Sequence, residues 1–251
     1  MIPFDIETKP RTDLVRRFIK PFPAFDPAAV KYGNTKDPAK RAELLALKES
    51  DHATEEQAYW KNAEDRASLN PLTAEIVCIG LLMDGKPVIL SGNERDVLTE
   101  FWATFADHRL ASEKFVFWSG TGNPSENFDV DMIVRRSWLL NVKVSPLAFS
   151  GRYLANRFED AAGRYLLFKR EAYCGLSKAA LELGLFEGDE TIKPAIFPKT
   201  DNDPVQGVNF YQWWEGTHAN TKLSPAEQRE WATKYLTNDL LILAGIVDRI
   251  F

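Results

Sequence analysis

The first eight residues, Met-Ile-Pro-Phe-Asp-Ile-Glu-Thr, set two acids two positions apart in an otherwise apolar stretch. Side chains two apart in a strand share a face, so Asp5 and Glu7 stand together while Phe4 and Ile6 face the other way. Burying two adjacent carboxylates costs on the order of several kcal/mol unless cations or hydrogen-bond donors compensate. Oxygen-only ligands suit Mg²⁺ or Mn²⁺, and the pair therefore reads as half of a metal site. The plainer reading is a strand end open to water; partner acids elsewhere are what raise metal binding above it. Near the other end of the chain, Tyr235 and Asp239 lie four apart in a helix-patterned run, which stacks them on one helical face. Between these two stretches, Phe128-Asp129 follows a loop-like run, residues 119–127, and opens a further helical pattern. The two glycines of that loop form neither a P-loop nor a GxGxxG, so nucleotide-cofactor binding is discounted.

The elements that must carry these residues are legible along the chain. A strand over the first eight residues is followed by some sixty residues without sheet pattern, broken by Pro10, Pro21, Pro23 and Pro27. Asp37-Pro38 starts a charged helix that runs to about Arg66, with too few apolar positions for deep burial. Residues 9–72 are read as a surface insertion and not as a separate domain. A central strand over 75–83, a hairpin turn at Asp84-Gly85 and a return strand over 87–90 come next. An amphipathic helix then spans 94–106, with Val97, Leu98, Phe101, Trp102 and Phe105 at helical spacing, and a short buried strand lies over 114–118. Helices are expected from Phe128 to about Asn141 and over 176–185, with helical or mixed structure between 151 and 168. Residues 187–224 read as a long connection containing the aromatic knot Phe210-Tyr211-Gln212-Trp213-Trp214. Ser224-Pro225-Ala226-Glu227 matches a capping box with proline at the first position and starts a last helix to about Ile250. The whole predicts one α/β domain with a mixed sheet flanked by helices.

With 251 residues and 45% hydrophobic content the chain can bury a sizeable core. Its net charge of −5 argues against a wholesale basic coat, yet the charge is uneven. Lys9 to Lys48 holds ten Lys/Arg against four Asp/Glu, a balance of +6 that leaves −11 for the remainder. Cys78 and Cys174 have no CxxC spacing and no zinc partners, and read as buried free thiols. No leader pattern opens the chain and no apolar run approaches the ~20 residues of a membrane span. No membrane association is expected, and the expected location is cytoplasmic.

An Asp-x-Glu strand at the start, Phe-Asp at a loop-to-helix junction and Tyr-x3-Asp in a C-terminal helix together resemble the DEDD superfamily of 3′–5′ exonucleases, DnaQ-like with a ribonuclease H-like fold. The tyrosine marks the DEDDy branch. Leu69-Asn70-Pro71-Leu72 leading into Ile76-Val77-Cys78-Ile79-Gly80, and the Leu-Ser-x3-Leu pattern within 176–185, look like stand-alone relatives of the family B polymerase proofreading domain. The histidine branch would need histidine five residues before the last aspartate, where Lys234 stands. In the second motif the family commonly has Asn-x-x-x-Phe-Asp, whereas Asn123 lies six residues before Asp129 and Pro124 fills the expected place, so Asn123 or Asn127 would have to substitute. Pro3 is unusual for a central strand. Asp131 rivals Asp129, but Phe128 sets the motif on Asp129.

The resemblance implies a single 3′–5′ exonuclease domain over residues 1–251, acting on the 3′ end of DNA, single-stranded or frayed, or on RNA, and releasing nucleoside 5′-monophosphates. Two Mg²⁺ or Mn²⁺ ions would be held by Asp5, Glu7, Asp129 and Asp239, with Asp129 partly through water, and Tyr235 would orient the attacking water. Thr8, Asn127 and Phe128 would contact the substrate, and a replication or recombination protein is an expected partner. The basic 9–48 segment would guide the phosphodiester backbone, although a solvated face is the plain reading of each lysine. Phe128, Trp213 and Trp214 offer rings for stacking, against core packing as the plain reading. Glu7-Thr8-Lys9 echoes the PD-(D/E)xK endonucleases, but only four residues precede Asp5, which leaves no earlier strand for that motif's first acid. A non-catalytic ribonuclease H-like module that binds nucleic acid or a replication partner is the alternative.

Overall fold

A computed structural model of the chain describes residues 1–121, 123, 127–150, 153–154, 157–185, 205–207, 209–219 and 221–251, with the backbone alone at 150, 153 and 154. Positions 122 and 124–126 of the loop before Phe128, and 186–204 of the long connection, lie outside the described residues. Two compact units are present, residues 1–9 with 75–251, and residues 10–74.

The larger unit is a five-stranded mixed sheet flanked by helices, in the order β3-β2-β1-β4-β7. Its strands are β1 (Ile2–Pro10), β2 (Ala74–Met83), β3 (Lys86–Ser91), β4 (Phe115–Phe117) and β7 (Phe158–Asp160), while β5 (Phe149–Ser150) and β6 (Tyr153–Leu154) form a separate antiparallel pair. β1 and β4 run parallel with Ile2 opposite Phe115, as do β4 and β7, while β2 and β3 are antiparallel. Asp84 and Gly85 both take positive φ, 50° and 72°, as a two-residue turn matched to strand twist requires. Pro3 sits second in the central strand; the donor toward β4 at this end is Ile2, whose N–H bonds the Lys114 carbonyl at 2.8 Å.

One face of the sheet is an aromatic slab. Phe4, Phe115 and Phe158 meet Phe101, Trp102 and Phe105 of α3 (Glu94–Ala106), with centroids as close as 4.7 Å for Phe105 and Phe158, and Phe117 lies against Phe4. α4 (Phe128–Leu139) is tied to α3 by a buried ion pair. Arg136 Nε and Nη2 donate to the two oxygens of Glu94 at 2.8 and 2.6 Å, and the Ile76 N–H also donates to Glu94. The other face is covered by α8 (Pro225–Ile250), which begins at the expected capping box on Ser224 and Glu227. α8 approaches closely because β2 presents Gly80 to it: a methyl there would lie 2.9 Å from Leu240 and 3.0 Å from Leu236.

Residues 151–168, expected to be helical or mixed, are mixed: the fifth strand of the sheet, β7, precedes the short helix α5 (Ala161–Tyr165). Three residues are too few to show period-two patterning, and this strand exists only through its pairing with β4. The aromatic knot, read as part of a connection, is a helix, α7 (Phe210–Glu215), and Phe210, Trp213 and Trp214 are core residues packed with Leu236. These two tryptophans therefore offer no stacking surface. The 176–185 helix is α6 (Leu176–Glu182).

The smaller unit contains α1 (Thr12–Phe18) and the expected long helix, α2 (Pro38–Asp65), capped by the Asp37 carboxylate on the Ala39 N–H. Its core is slight: Val15, Trp60 and Ala67, with Ile19, Tyr59 and Ala63 against them. Trp60 is the one buried residue of α2, in keeping with the sparse apolar pattern.

Candidate metal centre

Odd-numbered residues of β1 point away from the aromatic slab toward α8, and there the Asp5–Glu7 pair meets Asp239. Oxygens of Asp5, Glu7 and Asp239 all lie within 4.8 Å of one another. Ligands bound to one hard cation at 2.0–2.6 Å lie no more than roughly 5 Å apart, so the three carboxylates fit a shared ion, and an all-oxygen donor set favours Mg²⁺ or Mn²⁺ over softer metals. Glu7 and Asp239 are buried and Asp5 partly so. The convergence rests on the Gly80 contact, because Leu236 and Leu240, the residues seated there, bracket Asp239 on α8.

Asp129, in the first turn of α4, is buried and lines the same cleft of about 250 Å³, together with Phe128, Trp118, Leu176, Tyr235 and Leu243. It stands outside the three-acid group. Burial, and then the charges of Asp5 and Asp160, push its carboxyl well above the usual range. Asp131 is exposed and lies 3.6 Å from Arg135. Asn127 is the N-cap residue of α4 and Thr8 is buried on β1; neither lines the cleft.

Tyr235 is held by the aromatic helix, its ring 5.8 Å from Phe210. Burial is the largest influence on its phenol, followed by Asp239, Glu7 and Asp5, and all raise its pKa far above the ordinary value; the Gly207 N–H bonded to the phenol oxygen acts weakly against them. The Cys78 thiol is likewise pushed up, by burial first and then by Glu7 and Asp5. Both cysteines are free and buried, as expected.

Asp160 escaped the sequence reading. It ends β7 and caps α5 through the Ala162 N–H, and it accepts both the N–H and the hydroxyl of Ser119, at 3.2 and 2.7 Å. The sequence signal was its place before Ala161-Ala162, where an aspartate starts a helix. Trp118 was also missed as a cleft residue; its indole N–H donates to the Cys174 carbonyl at 2.9 Å. Lys9, part of the basic segment, is bound to Glu75 and Glu215 at 3.1 and 2.8 Å. A larger hollow of about 750 Å³ lies at the other end of β1, lined by Met1, Leu82, Arg109, Glu113 and Asp248 among others. Among the described residues its acids form no group like that of β1 and α8, so the smaller cleft is the candidate site. Among the described residues no helix is long and apolar enough to cross a membrane. No family model, curated protein or solved structure matches the chain.

Proposed function

We propose that this chain is a divalent-metal-dependent 3′–5′ exonuclease of the DEDDy type, with a ribonuclease H-like fold, that removes nucleoside 5′-monophosphates from the 3′ end of DNA. The observation that carries the reading is the convergence of Asp5, Glu7 and Asp239 from opposite ends of the chain onto one point. The five-stranded mixed sheet with helices on both faces is compatible with that fold.

Asp5, Glu7 and Asp239 would hold the ions, with Asp129 reaching them from across the cleft through water. Two Mg²⁺ or Mn²⁺ ions bound there would supply activation of a water and charge stabilisation at the leaving 3′-oxygen. In the metal-free protein, burial and the acid cluster raise the pKa of the Tyr235 phenol far above its ordinary value. Tyr235 therefore acts as a hydrogen-bond donor that orients the nucleophile and not as a base. The Phe128 ring, at the cleft wall, would contact the terminal nucleotide, with Thr8 and Asn127 nearby in sequence to the ligands they follow and precede.

Oligonucleotides labelled at either end separate the alternatives. With Mg²⁺ or Mn²⁺, a 3′ label should appear at once as mononucleotide while a 5′ label gives a descending ladder. Asp5→Ala should remove about 10³-fold or more of the rate, the scale of several kcal/mol lost with a metal ligand. Binding with neither label released would leave a strand-binding module without chemistry, and cuts first appearing at internal positions would refute exonuclease action.

A further inference from the structure

We infer that the turn after α5, residues 166–173, is the surface that seats the unpaired strand leading into the metal cleft, stacking bases on Phe168 and Tyr173 and meeting phosphates with Lys169 and Arg170. This rests on the exonuclease reading for its substrate, though the binding it asserts is measured separately from cleavage.

The turn is built against ordinary preference. The Phe168 N–H bonds the Gly163 carbonyl at 2.8 Å and the Leu167 N–H bonds the Arg164 carbonyl at 3.0 Å, the paired bonds that close a helix with a left-handed residue, usually glycine. Leucine stands there instead. Leu167 and Phe168 have φ of 53° and 54°, a region in which bulky side chains are strained. Burial does not explain the choice, because Leu167, Phe168 and Tyr173 are 74%, 56% and 76% exposed. Exposed rings close together in the chain, one of them at a positive φ that bulky side chains seldom adopt, offer flat apolar faces to a ligand.

Its position indicates what covers it. Tyr173 pairs with Thr121 in an isolated bridge, and its ring lies on Gly120 so closely that a methyl there would stand 2.9 Å from it. The next residue, Cys174, takes the Gly120 carbonyl through its N–H and holds the Trp118 indole through its own carbonyl. Trp118 and Leu176 are walls of the acidic cleft, so Tyr173 adjoins it, and Phe168 stands five residues back along the same turn, its ring against Gly163 of α5. The charge is complementary to a polyanion: Arg164 to Lys178 holds four cations (Arg164, Lys169, Arg170, Lys178) and one acid, Glu171, in a chain of net −5. Arg164 pairs with Glu159 and Lys178 with Glu182, whereas Lys169 and Arg170 are exposed and form no ion pair among the described residues. Rings interleaved with open cations suit a single strand, whose bases stack while its phosphates are neutralised.

The test uses the full chain and fluorescent (dT)12, with anisotropy read in EDTA so that nothing is cut. Phe168→Ala and Tyr173→Ala should each weaken binding about 5- to 100-fold, the range for loss of one base-on-ring stack. Tyr173→Phe should bind as the parent does. Lys169→Ser with Arg170→Ser should flatten the salt dependence, each lost single-strand phosphate contact reducing the log–log slope by about 0.7. Hydrolysis of the p-nitrophenyl ester of thymidine 5′-monophosphate with Mn²⁺, a substrate too short to reach the turn, should be unchanged in all four variants. Parental (dT)12 affinity in the alanine variants overturns the inference and leaves the exonuclease reading standing. Weakened binding in those variants, with a parent that hydrolyses neither ester nor oligonucleotide, supports the strand surface and removes the exonuclease reading. Capture of the parent by phosphatidylglycerol vesicles through these residues, with (dT)12 affinity unaltered, assigns the turn to a membrane surface and overturns the inference.

Discussion

Asp5, Glu7 and Asp239 face a hydrogen-bonding phenol on one side and a buried aspartate on the other, and these two neighbours behave differently as pH changes. Tyr235→Phe keeps the ring packed on Phe210 and removes only the donor. The exonuclease reading predicts a fall in kcat of about 10²-fold, the lower end for a positioned proton donor, with KM little altered and no new alkaline limb in the pH profile. Equal activity in the variant would show that the phenol does not touch the nucleophile. Asp129 is raised by burial and by Asp5 and Asp160, so in metal-free protein its proton favours the native state. That contribution is complete below the ordinary carboxylate pKa of about 3.9 and is lost as pH rises through the elevated native value. Melting in EDTA should therefore occur at lower temperature at pH 8 than at pH 5, and Asp129→Asn should melt above the parent at pH 8 with a shallower dependence. Identical slopes for the two proteins would show that Asp129 is ionised without metal.

Among the elements, α8 decides the site because it carries both Tyr235 and Asp239, and Gly80 decides how near α8 comes. Gly80→Val forces branched bulk between Leu236 and Leu240. The expected loss is about 1–3 kcal/mol in urea unfolding, together with a weaker rise in melting temperature on adding Mg²⁺ or Mn²⁺, since metal bound to the native state raises its stability. Unaltered metal response in a destabilised variant would separate packing from ligand geometry and remove Gly80 from the account of the site. α4 is held by a different device. The Glu94–Arg136 pair, both partners about 7% exposed and bidentate, joins β2, α3 and α4 beneath the turn that bears Asp129. α7 completes the arrangement by packing Phe210 against Tyr235, so an aromatic cluster with no visible role in the sequence turns out to orient the phenol.

For the whole molecule, every acid of the cluster and every cleft-lining residue belongs to the unit of residues 1–9 and 75–251. Within the other unit the Arg11 N–H bonds the Thr73 carbonyl at 2.6 Å, so its entry and exit lie side by side. Replacing residues 12–72 with a short Gly-Ser linker should therefore leave a folded protein whose melting temperature still rises with Mg²⁺ or Mn²⁺. Loss of that rise in a protein that remains folded would make the smaller unit part of the metal site. The residue types and local spacings were legible from the start: Asp5 and Glu7 on one strand face, Tyr235 and Asp239 on one helix face, the caps at Asp37 and Ser224, and the turn at Asp84-Gly85. Each depends on neighbours within four residues, and period-two, i to i+4 and capping rules describe such neighbours. The sequence by itself thus determined which groups exist and which share a face. The order of the motifs implied, by resemblance alone, that residue 239 would meet residues 5 and 7, and the tertiary structure brings those three together with Asp129 outside the group. Only the tertiary structure decided that β7 exists, that Asp160 adds its charge to Asp129, and that Phe210 packs on Tyr235. Those outcomes come from packing between segments far apart in the chain, where a missing methyl at Gly80 or a three-residue pairing leaves no periodic trace.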